Sequence, residues 1–228
     1  PNAARLLNSA AVRTYFEQYF IASAAALSGK TDSSDRDVWS ILPQTVNSMY
    51  ETSTNSITIP AAMLKKPFYD PKASFEANLG GIGAVIAHEI SHALDSLGSK
   101  FDENGNMNDW WLAEDKEAFA KVCKDVSDEY SKIEFLPGYF VNGEQTLNEN
   151  LADLAGMACI LDIAGKDNPR LGNLFENYAV CWRIKSTDEY KKGMYSPVFL
   201  VVAIAIKCED GGTVFFSQTR LTKNGKQF

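Results

Sequence analysis

Apolar residues recur at roughly helical spacing over residues 79–97. These positions lie one, three or four residues apart: Val85, Ile86, Ile90, Ala93, Leu94 and Leu97. A glycine-rich stretch, Leu79-Gly80-Gly81-Ile82-Gly83, begins the segment, and Gly98 follows it. No proline or glycine interrupts residues 84–97. Glycine just past the last periodic residue is typical of a helix end, so the pattern predicts a helix over 79–97.

Weaker periodic patterns predict the other elements. Helices are expected over residues 1–28, 111–132, 146–164 and 172–184, and a strand over residues 55–60. Residues 28–37 are polar and rich in Ser, Asp, Gly and Lys, which predicts a linker. The apolar run 197–206 is shorter than the ~20 residues of a membrane span, and indicates a buried strand or a tightly packed helix. The fold class predicted is α+β and mainly helical, with a small β-sheet.

The chain's two histidines lie in the helix predicted over 79–97, in the motif His88-Glu89-Ile90-Ser91-His92. An i, i+4 spacing places both imidazoles on one helix face, where they can share a metal ion. A glutamate beside the first histidine can act as general base on an attacking water. The alternative is a buried helix whose histidines only form hydrogen bonds in the core.

A catalytic zinc ion usually takes three protein ligands. No third histidine exists, so the remaining ligand must be a carboxylate or a thiolate. Glu149 and Asp153 are also four residues apart on a predicted helix. One can bind the metal while the other accepts the outer N–H of a histidine. The alternative is an ordinary solvated acidic face of that helix.

Several blocks in order resemble the neprilysin family of zinc metallopeptidases, the gluzincins that include endothelin-converting enzyme. The similarity covers residues 39–182. It includes Trp39 to Tyr50, the strand segment Asn55 to Ala61 with Pro67-Phe68-Tyr69, and the histidine helix. It continues through Phe101 to Trp111 and Asn142 to Asp153. The resemblance implies a thermolysin-like zincin catalytic domain across residues 1–228, with a helical lead-in and linker (1–38), a core containing the zinc site (39–196) and a divergent end (197–228).

The resemblance also implies residue roles. One Zn²⁺ per chain would be bound by His88, His92 and Glu149, with Glu89 as general base. Asp153 would orient one histidine, and Asp95 is a further candidate for that role. Asn47 and Ser48 would be substrate-binding residues: Asn47 would hydrogen-bond the substrate backbone, and Ser48 replaces the alanine of the family pattern. Three large apolar side chains match positions lining the pocket for the residue after the scissile bond: Phe68, Val85 and Trp182.

The chain departs from the family near its end. The transition-state histidine of a His-Ser-Pro segment is replaced in Tyr195-Ser196-Pro197, and Val201 stands at the position aligned with an arginine. Tyr195 can still donate a hydrogen bond to an oxyanion, whereas nothing replaces the arginine. Losing one such donor costs about 100- to 1000-fold in turnover.

The resemblance therefore implies a zinc endopeptidase that cleaves peptides on the amino side of hydrophobic residues. The alternative is a zinc-binding, catalytically impaired peptide-binding module of a larger protein. Family members also have a helical domain that roofs the catalytic cavity. Most of that domain is not recognisable in this sequence, so an N-terminal helical domain is an expected partner.

Composition limits the classes of partner that the chain is expected to bind. A net charge of −7 argues against nucleic acid and against an anionic membrane surface. Peptides are the expected partners, without membrane contact from this chain. The four cysteines have no Cys-x-x-Cys spacing, which argues against a metal site: Cys123, Cys159, Cys181 and Cys208. Disulfides stay an alternative, but free thiols are favoured, because the partners that the resemblance implies for Cys123 and Cys208 are not in this chain. The compartment stays open, with an extracellular or envelope-associated location favoured over the cytoplasm.

Overall fold

A computed structural model describes residues 41–165, 167–183 and 187, together with the backbone of four strands between residues 205 and 227. The helix predicted over 1–28 and the linker predicted over 28–37 lie outside the described residues.

The first element is a short β-hairpin. Strand β1 (Met49–Glu51) pairs antiparallel with β2 (Ser56–Thr58), and Tyr50 lies opposite Ile57. The turn between them contains Asn55 at φ 46°, a backbone conformation that asparagine tolerates better than most residues. The strand predicted over 55–60 is confirmed as β2, although it is shorter than expected.

The histidine helix has an irregular start. Helix α1 (Phe75–Asn78) begins after Ser74, whose side chain accepts the N–H of Ala77, and it continues into a π-helical segment, Leu79–Gly83. Helix α2 (Ala84–Ser91) follows. Within the π-helical segment, the Ile82 N–H donates to the Phe68 carbonyl at 2.7 Å, which joins the segment to the preceding loop.

The same helix ends earlier than the apolar pattern predicts. A 3₁₀ turn, His92–Leu94, follows α2, and Asp95 is extended at φ −72°, ψ −177°. The Asp95 carboxylate accepts the backbone N–H groups of Leu97 and Gly98 at 2.8 and 2.7 Å. The prediction of a helix to residue 97 is therefore wrong, because a side chain replaces the helical hydrogen-bond acceptors.

Three longer helices complete the described helical part. They are α3 (Ala113–Tyr130), α4 (Leu147–Ala164) and α5 (Leu171–Cys181), and their ends lie within about three residues of the predicted bounds. A second hairpin, β3 (Glu134–Leu136) with β4 (Tyr139–Phe140), connects α3 to α4.

Helix α4 lies between two apolar clusters. On one side it packs with the start of α2 and with α5, around Leu79, Ile160 and Leu174. On the other side it packs with α3, around Val126 and Leu151. Helix α4 also packs along α2, and this contact places its acidic residues beside the histidines.

Four strands near the end of the chain form a sheet, of which the apolar run indicated only the first strand. Strands β5 (Ala205–Lys207), β6 (Thr213–Ser217), β7 (Arg220–Lys223) and β8 (Lys226–Gln227) pair antiparallel in that order. Strand β5 overlaps the predicted apolar run, which confirms the strand interpretation for that overlap. The dipeptide Asn224-Gly225 is a strong hairpin signal and could have predicted β7 and β8.

The predicted class, α+β and mainly helical, is confirmed: helices dominate the described residues, and the sheets are small and antiparallel. Among the described helices, none is both long enough and apolar enough to span a membrane.

Candidate metal centre

Both histidines project from the same face at the end of α2. Their ring centroids are 4.6 Å apart with the ring planes at 89°, and the two Nε2 atoms are 3.0 Å apart. Each ring is largely buried, with 15% of the His88 side chain and 17% of the His92 side chain exposed. The i, i+4 spacing has therefore brought both Nε2 atoms to one point, as the motif predicted.

The Nδ1 atom of each ring forms a hydrogen bond with a carboxylate. His88 Nδ1 donates to Asp153 Oδ1 at 2.7 Å, and His92 Nδ1 donates to Asp95 Oδ2 at 2.8 Å. A carboxylate can only accept these bonds, so each Nδ1 carries a proton, and in the neutral ring Nε2 has a free lone pair. Both rings thus present an acceptor nitrogen to the same point.

Glu149 on α4 is the third potential metal ligand beside the two histidines. Its Oε2 is 3.4 Å from His88 Nε2 and 3.8 Å from His92 Nε2. All three donor atoms lie within 4.8 Å of one another. Ligand atoms 2.0–2.2 Å from a tetrahedral zinc ion are about 3.3–3.6 Å apart, close to the separations found here. The two imidazoles and one carboxylate therefore fit a single zinc ion.

The electrostatics of the site also favour a cation. Burial by itself would lower the pKa of His88, but hydrogen bonds to Asp153 and Glu149 and the nearby negative charges raise it to about 10. The hydrogen bond from His88 lowers the pKa of Glu149, against the opposing effect of burial. The negative groups around the rings therefore favour a positive charge at this point, which a metal cation would supply.

Glu89 lies next to this group and is buried, with 5% of the residue exposed. Its Oε1 accepts a hydrogen bond from Ser48 Oγ at 2.6 Å. The sequence predicted Ser48 to lie near the substrate but did not predict this bond. The two residues are 41 positions apart, and no local pattern connects them.

A second unpredicted contact secures the position of Glu149. The side chain of Asn148 accepts hydrogen bonds from the Ser96 hydroxyl at 2.5 Å and from the Ser96 N–H at 3.2 Å. This contact joins the first turn of α4 to the loop just after His92. It fixes the first turn of α4 at Asn148, one residue before the acidic ligand candidate.

The predicted substrate-binding residues are only partly brought together. Asn47 is exposed in the loop before β1, next to Ser48. Phe68 and Trp182 contact each other edge to face, with ring centroids 6.4 Å apart. Val85 is almost fully buried on α2, with 2% exposed.

Other predicted residues lie outside the described part of the chain, namely Tyr195, Val201 and Cys208. The three described cysteines are free thiols, as expected: Cys123, Cys159 and Cys181. Within the described residues, His88, His92 and Glu149 are the group of metal-ligating side chains found close together.

Comparison with known proteins agrees with this geometry. A profile of peptidase family M13 matches residues 47–194. A neutral endopeptidase of Lactobacillus helveticus is 42% identical over 181 residues, covering 77% of this chain and 28% of that protein. Human endothelin-converting enzyme 1 is 40% identical over 123 residues, covering 54% of this chain and 16% of that enzyme.

Solved structures show the same similarity. The crystal structure of PepO from Lactobacillus rhamnosis matches with a TM-score of 0.70 and 37% identity, covering 75% of this chain and 28% of that one. The Mycobacterium tuberculosis zinc metalloprotease Zmp1, in complex with an inhibitor, matches with a TM-score of 0.67 and 36% identity, covering 73% and 29%. This chain therefore spans just over a quarter of the length of these bacterial relatives. The resemblance to the neprilysin and endothelin-converting enzyme family is confirmed: the chain belongs to peptidase family M13.

Proposed function

We propose that this chain is the catalytic domain of a zinc-dependent endopeptidase that cleaves peptides on the amino side of hydrophobic residues. One observation carries the proposal: the donor atoms of His88, His92 and Glu149 lie within 4.8 Å of one another, beside a buried Glu89. Membership of family M13 and similarity to neutral endopeptidases support the same activity.

His88, His92 and Glu149 would hold the zinc ion, while Asp153 and Asp95 fix the two imidazoles through their Nδ1 atoms. Zinc in such a site supplies Lewis-acid chemistry, which polarises a peptide carbonyl and makes a water molecule more acidic. Glu89 would accept the proton of the attacking water and pass it to the leaving amine.

The substrate would lie across the β1 side of the site. Asn47 is exposed there and can hydrogen-bond the peptide backbone, one residue before the serine that contacts Glu89. The paired rings of Phe68 and Trp182 offer an apolar surface for a hydrophobic side chain. Tyr195 would donate a hydrogen bond to the oxyanion of the transition state. The remaining length of the longer relatives would include a helical domain that roofs the cavity and restricts the size of substrates.

The test combines metal analysis with peptide cleavage. Zinc content is measured on the purified chain, together with cleavage of a quenched fluorescent peptide that has one central hydrophobic residue. We expect one zinc per chain, and Glu89→Gln should lower turnover at least about 100-fold while retaining zinc. Glu176→Gln is the matched control, because Glu176 is exposed on α5.

A second candidate function is a zinc-binding peptide-capture module with impaired catalysis. It is favoured by Tyr195 and Val201, which replace the family's histidine and arginine. One zinc per chain with no cleavage sensitive to Glu89→Gln would support this candidate over the endopeptidase. A chain that binds no zinc would contradict both.

A further inference from the structure

A hydrogen bond links the β1 hairpin to the acidic residue of the histidine motif. Ser48 Oγ donates to Glu89 Oε1 at 2.6 Å. An O–H donor to a carboxylate at 2.5–2.7 Å is a short, charge-assisted bond, about twice as strong as a neutral one. Ser48 directly precedes β1, and Glu89 lies in the middle of α2, so the bond connects two separate elements.

We infer that Ser48 is a positioning residue, which holds the Glu89 carboxylate in the orientation from which it accepts a proton. The inference rests on the proposed function for the role of Glu89, although the contact itself does not. Glu89 is 5% exposed, and within the described residues no other hydrogen bond to its carboxylate is found. The serine hydroxyl therefore decides where the carboxylate oxygens point.

The expected effect of removing the hydroxyl follows from the chemistry of this contact. An alanine at position 48 could not donate a hydrogen bond to Glu89. Without the hydroxyl, the carboxylate would be buried without this partner, and such a group costs free energy or reorients. A displacement of about 1 Å in a reacting group can cost about 100-fold in rate.

The position of Ser48 also connects substrate binding to the general base. Asn47, the residue proposed to bind the peptide backbone, is its immediate neighbour. A peptide bound by Asn47 would therefore fix the same backbone that carries the Ser48 hydroxyl. The hydroxyl itself contacts Glu89, whereas the peptide contact is proposed for Asn47, so loss of the hydroxyl should change turnover while leaving peptide binding unchanged.

Steady-state kinetics of the zinc-loaded chain test this separation. For Ser48→Ala we expect kcat to fall about 10- to 100-fold and KM to stay within about twofold. Ser48→Thr retains the hydroxyl and should remain within about threefold of the unchanged chain. Ser53→Ala is the matched control on the same hairpin, because the exposed Ser53 hydroxyl donates to Glu51 Oε1 at 2.9 Å, away from the metal centre.

A double-mutant cycle tests the contact without relying on catalysis. Ser48→Ala, Glu89→Ala and their combination are unfolded chemically in the presence of zinc. Hydrogen bonds to charged groups are among the stronger ones in proteins, so the coupling between the two sites should be about tenfold or more in the unfolding equilibrium constant. The pair Ser53 and Glu51 should give less than about threefold, since exposed contacts contribute little.

These measurements distinguish a failure of the role of Ser48 from a failure of the proposed function. A coupling below about twofold, or a kcat for Ser48→Ala within about twofold of the unchanged chain, would overturn the role of Ser48. If the unchanged chain shows no cleavage sensitive to Glu89→Gln, the proposed function fails, and the coupling alone decides whether Ser48 holds Glu89. Threonine that fails to restore kcat despite strong coupling would also contradict the positioning role.

Discussion

The orientation of each imidazole depends on one carboxylate. Asp153 holds His88 from another helix, whereas Asp95 holds His92 from three residues further along the chain. Both aspartates leave Nε2 as the nitrogen that faces Glu149. A histidine ring without such a partner can rotate or carry its proton on the other nitrogen, and either change removes a metal ligand.

Asp153→Asn should therefore weaken zinc binding about 10- to 100-fold, because the amide has no charge and can present its NH₂ group to His88. The measurement is competition for zinc with a fluorescent chelator. Asp162→Asn, on an exposed position of the same helix, is the matched control and should stay within about twofold. An affinity for Asp153→Asn equal to that of the control would show that the hydrogen bond does not hold the ring.

At the scale of elements, the site depends on how closely α2 and α4 approach. Glu149, Asp153 and Gly156 follow one another at i, i+4 and i+7, so all three face α2. A Cβ on Gly156 would be 2.9 Å from the His88 backbone nitrogen and 3.1 Å from the Ala87 carbonyl carbon. The glycine thus permits a helix contact that a larger residue would prevent, and this contact lets Glu149 reach the histidines.

Gly156→Ala should destabilise the chain by about 1–3 kcal/mol, since the added methyl forces the helices apart at a packed position. Gly172→Ala is the matched control, because Gly172 is in helix α5 and a Cβ there would meet open space. At that position, alanine should stabilise the helix by up to about 1 kcal/mol. Chemical denaturation measures the change in the free energy of unfolding for both variants. A stabilising effect at Gly156 would contradict the close approach.

Residue spacing predicted the candidate metal ligands, because the two residues of each pair lie four positions apart in one helix. His88 with His92, and Glu149 with Asp153, each share one helix face, and the spacing alone determines that. Apolar spacing could not predict the end of α2, because Asp95 ends the helix through its own side chain. The bond from Ser48 to Glu89 and the bond from Ser96 to Asn148 join residues 41 and 52 positions apart, so they depend on tertiary packing.

At the scale of the whole molecule, a metal ion would connect α2 to α4, because its ligands come from both helices. His88 and Asp153 are 65 positions apart, and α4 belongs to both apolar clusters. Four carboxylates lie around the two imidazoles, from Glu89, Asp95, Glu149 and Asp153, in a chain whose net charge is already −7. Without a cation these like charges repel one another across α2 and α4. A bound cation should therefore stabilise the fold as well as serve catalysis.

Zinc removal should accordingly lower the melting temperature. A ligand at 100 times its Kd stabilises the native state by about 2.7 kcal/mol. For a chain of this size that corresponds to about 5–10 °C between zinc-loaded and chelator-treated protein, at about 2–4 °C per kcal/mol. Calorimetry on the full chain measures the difference. The His92→Ala variant should lose most of this difference in melting temperature. Mg²⁺ at equal concentration should not raise the melting temperature in the same way, because Mg²⁺ prefers oxygen ligands over imidazole. The same shift in His92→Ala would place the stabilising metal elsewhere, since that variant lacks one of the two nitrogens that meet at this site.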